Sequence, residues 1–275
     1  MKEVLIIGIG AGDPDHLTLQ AVKAIAAADV FFVLDKGSGE GPGAHDLTRL
    51  RRDVIRAHAR EPYRLVEARD PERDRTSGAY TEAVEDWRSR RADVYERLIL
   101  DDLGDAETGA ILVWGDPSLY DSTLAVLEEV LARGSARFGH TVIPGVSSVS
   151  ALAARHRVSL TRVARPLHIT TGRRLARAIA GGTGLPGGAG DVVVMLDAHC
   201  AFAEIPGDAD IDIYWGAYLG TPDEILISGR VGDVAERIRG TRAEARARKG
   251  WIMDTYLLRR APEAGGRPPD GADRG

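Results

Sequence analysis

Four aliphatic residues, Val4 to Ile7, run without a polar break into the glycine-rich stretch GIGAGDPDH at residues 8–16. A strand whose side chains are apolar on both faces must be covered on both faces. It belongs inside a parallel sheet with helices packed above and below, which confines the chain to an α/β architecture. The next segments keep to that plan. LTLQAVKAIAAAD (17–29) has helical spacing, with Leu19, Val22, Ile25 and Ala26 on one face, and VFFVL (30–34) is a second strand. Asp35 then stands at the carboxyl end of that strand.

AILVW (110–114) and TVIPG (141–145) read as further strands, and STLAVLEEVLAR (122–133) as a helix capped by Ser122 or Thr123. In the second half, LHITTG, DVVVML, DIYWGAY, EILIS and WIMDTYLL read as strands, and VGDVAERIRG as a helix. Strands dominate there, so a mixed sheet is expected. The chain is expected to form an N-terminal α/β domain over 1–160 and a C-terminal α/β domain over 161–260. The first carries an arginine-rich insert at 36–109. The glycine-dense stretch 181–190 is expected to be a loop, and the tail 261–275 to be disordered.

Composition narrows the functional classes. A formal net charge of -5 gives no general support for nucleic-acid binding. Cys200 is the single cysteine, which excludes a disulfide framework within the chain and favours a cytoplasmic setting. No apolar stretch approaches the ~20 residues needed to span a bilayer, so no membrane role is expected. The opening MKEVLIIGIG is too short for a signal peptide and reads as the first strand.

Three strand ends carry glycine- or proline-rich loops: GIGAGDPDH (8–16), WGDPSLYD (114–121) and PGVSS (144–148). Ligands of open parallel sheets sit outside the carboxyl ends of the strands. Each loop alone has a bland explanation, since glycine and proline end strands; three together favour one site. A nucleotide phosphate fits poorly. No G-x-x-x-x-G-K-[ST] occurs, and after Gly8, Gly10 and Gly12 the dinucleotide fingerprint meets Asp13 where it wants glycine or alanine. Asp116 repeats that carboxylate in the second loop. Two carboxylates on glycine turns suit a ligand with positive charge, hydroxyls and amino groups. S-adenosylmethionine (SAM) has all of these. Gly115 and Gly145 would admit it close to the backbone, and Ser147 and Ser148 would take its carboxylate at a helix start.

The series GIGAGDPDHLTLQA…AADVFFVLD…WGDPSLYDST…VIPGVSS resembles the tetrapyrrole (corrin and porphyrin) methylases, the class III SAM-dependent methyltransferases. The resemblance covers most of the chain in order. It implies two α/β domains with SAM in the cleft between them, and a homodimer. Carried over position by position, it assigns SAM to Gly10, Ala11, Gly12, Trp114, Gly115, Asp116, Leu119, Ser147, Ser148, Met195, Leu196, Gly216 and Ala217. Ala11 stands where the family usually has proline, and Trp114 where it usually has glycine. The cofactor-lining methionine of the family falls at Met195 or Leu196.

The segment 36–109 is longer than the usual spacer. It resembles the version in the deacetylating branch of the family, which methylates C-1 of precorrin-5 and releases acetic acid. A tetrapyrrole substrate carries many carboxylates, and arginine forks suit carboxylates. Arg49, Arg51 and Arg52, with Tyr120, are the candidate substrate contacts. Solvated arginines on a helix surface are the plainer alternative for each one alone.

Methyl transfer from an activated sulfonium mainly needs alignment, whereas deacylation needs a general base. Asp35 is the candidate base; a strand-ending aspartate capping a turn is the alternative. His16, His58 and His199 are scattered, and no metal site is expected. Rival readings are another precorrin or uroporphyrinogen methylase, an RNA or diphthamide methyltransferase of the same fold, a nicotinamide-dependent oxidoreductase and a non-catalytic tetrapyrrole carrier.

Overall fold

In a computed structural model, residues 1–35, 46–72, 80–182, 184–186 and 190–260 are described. The expected behaviour of the tail, and Arg73 and Arg75 of the arginine-rich segment, lie outside the described residues.

The chain forms two compact units. One comprises Met1–Ala151 with two later segments, Tyr218–Glu224 and Ala245–Ile252. The other comprises Leu152–Ala217, Ile225–Glu244 and the chain from Met253 onward.

The first unit contains β1 (Glu3–Gly8), α1 (Leu19–Ala27), β2 (Val30–Asp35), α2 (Asp46–His58), β3 (Arg64–Arg69), α3 (Tyr80–Asp101), β4 (Thr108–Val113), α4 (Thr123–Arg133) and β5 (Gly139–Ile143), and the start of α5 (Ser148–His156). Its sheet has the order β3-β2-β4-β1-β5, and every pairing is parallel. The apolar strands are buried on both sides, as their composition demands. Ile6, Phe32, Ile111 and Val113 pack with Tyr95, Leu98 and Ile99 of α3 and Val126, Leu127 and Val130 of α4. On the opposite face Ile7, Phe31, Val33 and Leu112 meet Ala21 and Ile25 of α1 and Ile55 of α2.

Sequence periodicity missed β3. RLVEAR carries charge at three of its six positions and is largely exposed, because β3 is the edge of the sheet, where charge blocks unwanted pairing. The arginine-rich segment therefore contributes a strand and two helices to the unit itself.

The second unit holds β6 (Leu167–Thr171), α6 (Gly172–Ala180), β7 (Asp191–Met195), β8 (Ile211–Ala217), β9 (Ile225–Arg230) and β10 (Asp254–Arg260), with α7 (Val231–Lys249) beginning in it. The sheet order is β6-β7-β10-β8-β9. Only β6 and β7 run parallel; the other pairs are antiparallel, giving the expected mixed sheet. β10 starts at Asp254, three residues later than its sequence suggested, and the helices α5 and α6 were not read from periodicity.

Candidate functional site

Because all strands of the first sheet run parallel, Asp35, the loop after β1, the loop after β4 and the loop after β5 share one edge. The first two of these loops are joined by backbone: Gly115 N donates to Gly10 O at 2.8 Å and Gly10 N to Gly115 O at 3.2 Å. Gly10 and Gly115 adopt φ of 82° and 71°, in the left-handed region that favours glycine. Strand ends converge so tightly that side chains are excluded. A β-carbon on Gly8 would lie 2.6 Å from Gly145 N and 2.8 Å from Gly115 O. One on Gly145 would overlap Gly115 O. The result is a close junction of three loops, in which the Gly10, Gly115 and Gly145 N–H groups are paired within the chain.

A fourth segment closes on this edge from far along the chain. A β-carbon on Gly12 would lie 2.7 Å from Thr221 Cγ2, 2.8 Å from Leu219 O and 3.4 Å from Trp114 Cζ2. One on Gly220 would lie 2.7 Å from Asp13 N. Leu219, Gly220 and Thr221 were not anticipated from sequence; the short LGTPDE stretch that holds them carries no periodic signal.

The two Gly-Asp-Pro turns use one device. Asp13 Oδ1 accepts from Asp15 N at 2.9 Å, and Asp116 Oδ1 from Ser118 N at 2.8 Å. Proline has no N–H, so each carboxylate takes the next donor two residues on. Asp116 Oδ1 also accepts from the Ser118 hydroxyl, and its Oδ2 from Gly145 N at 2.9 Å. Burial alone would raise the Asp116 pKa, but the bonds from Ser118 and Gly145 outweigh it and hold the carboxyl below its ordinary value. Asp116 thus ties the second loop to the third. It was expected to face a ligand; most of its accepting capacity serves the chain, and only Oδ2 keeps room for a further donor.

Ser147 Oγ accepts from Ser150 N at 3.2 Å, a helix-cap bond at the start of α5. Ala11 is buried, and Trp114, Leu119 and Ser148 are half-buried. Tyr120 is 45% exposed with φ of 54°, unusual for a residue with a side chain. Asp35 is half-buried, and its backbone O accepts from Asp70 N at 2.7 Å.

The arginines of the long segment do not form one row. Successive helical residues turn by about 100°, which sets Arg51 roughly 160° around α2 from Arg49. Arg49 is exposed. Arg51 Nε donates to Leu112 O at 3.1 Å, and burial lowers its pKa. Arg52 pairs with Glu67 of β3 at 2.6 Å. Arg56, Arg64 and Arg69 pair with Asp53, Glu107 and Glu72. Of the three candidate substrate contacts on α2, Arg52 is thus paired with a carboxylate of the chain and Arg51 with a backbone carbonyl.

In the second unit, β7 ends at Met195, which is half-buried, and the chain turns through Leu196, 65% exposed with φ of 53°. Asp197 beneath the turn is buried. Its Oδ1 accepts from His199 N at 3.0 Å, and its Oδ2 from Ala201 N at 2.7 Å and Tyr256 OH at 2.6 Å. Arg242 donates to Asp197 O at 2.7 Å and to Asp254 Oδ2 at 2.9 Å. Burial, then the Asp197 charge, pushes the Tyr256 hydroxyl well above its ordinary pKa. Gly216 and Ala217 are buried at the end of β8, between β9 and β10.

Residues 3–235 match the model of the family described as Tetrapyrrole (Corrin/Porphyrin) Methylases. The chain is 47% identical over 264 residues to the Precorrin-6A synthase [deacetylating] of Sinorhizobium sp, spanning 96% of this chain and 97% of that one. A crystal structure of a cobalamin synthesis related protein (CobF) from Corynebacterium diphtheriae superposes with a TM-score of 0.77 at 33% identity. It covers 94% of this chain and 99% of its own. A cobalt precorrin-4 methyltransferase, CbiF, shares the fold at 19% identity and a TM-score of 0.59, over 93% of this chain and 94% of its own. The chain belongs to the tetrapyrrole (corrin/porphyrin) methylases.

Proposed function

We propose that this chain is a SAM-dependent C-methyltransferase of corrin synthesis that methylates precorrin-5 at C-1 and releases the acetyl group as acetate, giving precorrin-6A. The observation that carries the reading is the 47% identity, over nearly the full length of both chains, to a protein of that name.

The first unit suits SAM on physical grounds. The three loops meet at Gly8, Gly115 and Gly145, and the space beside Gly115 is open, with nothing within 4 Å of where a β-carbon would stand. Oδ2 of Asp116 retains room for a donor such as a ribose hydroxyl or an amino group. SAM supplies a methyl group already activated on its sulfonium. Gly10, Ala11, Gly12, Trp114, Gly115, Leu119, Ser147 and Ser148 would hold and orient it; Met195, Leu196, Gly216 and Ala217 are assigned to it on the resemblance. Correct alignment is worth roughly 7–11 kcal/mol when the reacting atoms are held in near-attack geometry.

Deacylation consumes one water. It adds to the acetyl carbonyl, the bond from that carbon to the macrocycle breaks with its electron pair left on the macrocycle, balancing the methyl group gained from the sulfonium, and acetate leaves. We assign removal of the water's proton to the Asp35 carboxylate, on the same sheet edge as the loops. Arg49 and Tyr120, both exposed, are the candidate contacts for substrate carboxylates. The proposal includes a homodimer in the cytoplasm. No described helix is long and apolar enough to cross a membrane.

Incubation with SAM and precorrin-5, followed by mass spectrometry and acetate quantification, tests the reading. A methylated, deacetylated product with stoichiometric acetate is expected. A methylated product without acetate would move the chain to another branch of the family, and tight NAD(P) binding with none for SAM would overturn the cofactor.

A further inference from the structure

The arginine-rich segment sends two side chains inward behind the second glycine loop. Arg91 of α3 has its Nε 3.1 Å from Asp70 Oδ1, with the two side chains only 12% and 7% exposed. Its Nη1 donates to Ser122 Oγ at 2.9 Å. The guanidinium lies over Trp87, 4.9 Å from the ring centroid, and 5.8 Å from that of Tyr95. Arg51 of α2 reaches the same place, through its bond to Leu112 O at the end of β4.

The capping of α4 shows that this arrangement has displaced the ordinary one. Ser122 occupies the N-cap position, yet its hydroxyl makes no cap bond. Asp121 Oδ1 accepts from Thr123 N at 2.7 Å instead. The serine that would normally cap the helix accepts from an arginine of the insert. Two residues before it stands Tyr120, in the left-handed region. Such a conformation persists in a residue with a side chain only where the surroundings hold it. At its other end the cluster meets the candidate base, since Asp70 N donates to the backbone of Asp35.

We propose that Arg91 is a positioning residue. Through Ser122 it fixes the 119–122 stretch of the cofactor loop, and through Asp70 it couples that loop to the strand end bearing Asp35. Arg51 supports the same loop from the β4 side. The long segment thereby acts as a brace for the site. This rests on the reading of the second glycine loop as part of the SAM site.

The test uses the full chain and S-adenosylhomocysteine as probe, by titration calorimetry with melting curves in parallel. Arg91→Met removes the fork, Ser122→Ala removes only its acceptor, and Arg91→Lys keeps the charge near Asp70. Affinity is expected to fall about tenfold in Arg91→Met and about threefold in Ser122→Ala, the scale of a lost bond to a charged group. Arg91→Lys should fall between wild type and Arg91→Met. The double variant should bind no worse than Arg91→Met alone, because both changes remove one interaction. A lowered melting temperature with unchanged affinity, or additive losses, would overturn the inference and leave the cluster as packing. If Arg91→Met does not fold, Ser122→Ala decides alone. A wild-type chain that binds no S-adenosylhomocysteine would sink the SAM reading itself; a wild-type chain that binds it, with variants that bind equally, sinks only the brace.

Discussion

At Gly8, Gly115 and Gly145 three strand ends of the first sheet meet backbone to backbone, whereas the turn after β7 runs through Leu196 and Cys200, both with side chains and both in the left-handed region. The first arrangement removes side chains, at Gly8 and Gly145 so that strand ends can approach and at Gly115 so that the backbone can turn left-handed. The second keeps them and holds the backbone with a buried carboxylate, Asp197, that accepts three hydrogen bonds. An absence of atoms tolerates little change at the glycines themselves. A buried polar network fails when any member loses its partner. Both strategies fix the backbone at a strand end, at opposite cost in sequence.

The comparison breaks most sharply at Asp197. Asp197→Ala leaves Tyr256 OH and two backbone N–H groups without their acceptor, and should cost about 3 kcal/mol or more of unfolding free energy. Chemical denaturation measures it; a loss below about 1 kcal/mol would mean that water replaces the carboxylate and that the turn is not held by it.

Gly145→Ala comes next. The new methyl meets the Gly115 carbonyl and the Gly8 backbone, atoms that cannot swing aside. Overpacking of this kind costs on the order of 1–3 kcal/mol, and S-adenosylhomocysteine affinity should fall with it. Retained stability and affinity together would show that the three ends can part without harm.

Gly115→Ala sharpens the contrast between space and conformation. Nothing lies within 4 Å of its would-be β-carbon, so only the φ of 71° opposes the change. A cost of about 1–2 kcal/mol is expected, with Asn at the same site costing less than Ala. A penalty as large as at Gly145 would contradict that separation.

The smallest effect lies at acid pH. The Asp116 carboxyl titrates below its ordinary value. Its contribution to stability is therefore complete above the ordinary carboxylate range near pH ~4, and fades as pH falls through the lower folded-state value. Asp116→Asn should lower the melting temperature across the neutral region, where the contribution is complete, and leave the most acid end nearly unchanged, so that the acid limb flattens. An unaltered acid limb would show that Asp116 does not link the second and third loops energetically.

The parallel first sheet, the mixed second sheet and the three loops were legible because each rests on local chemistry. Apolar runs without alternation need cover on both faces, and glycine or proline ends them. The paired Gly-Asp-Pro turns could also have been read locally, since proline has no N–H and the nearest backbone donor to each carboxylate is two residues on. β3 escaped because an edge strand is half exposed, so its charges hide its periodicity.

The sequence by itself determined which strands lie inside a parallel sheet, which glycine-rich loops gather at one edge of it, and through the order of its loops the family to which the chain belongs. Only the tertiary structure decided what Arg51 and Arg52 meet. Arg49, Arg51 and Arg52 are equivalent as letters, yet helix rotation sends Arg51 toward Leu112 O and β3 supplies Glu67 to Arg52. Tertiary structure also brought Thr221 and Leu219 to Gly12 across some two hundred residues of chain. A charge pairs with whatever the fold places within a few ångströms of it, and the linear order of residues does not encode that distance.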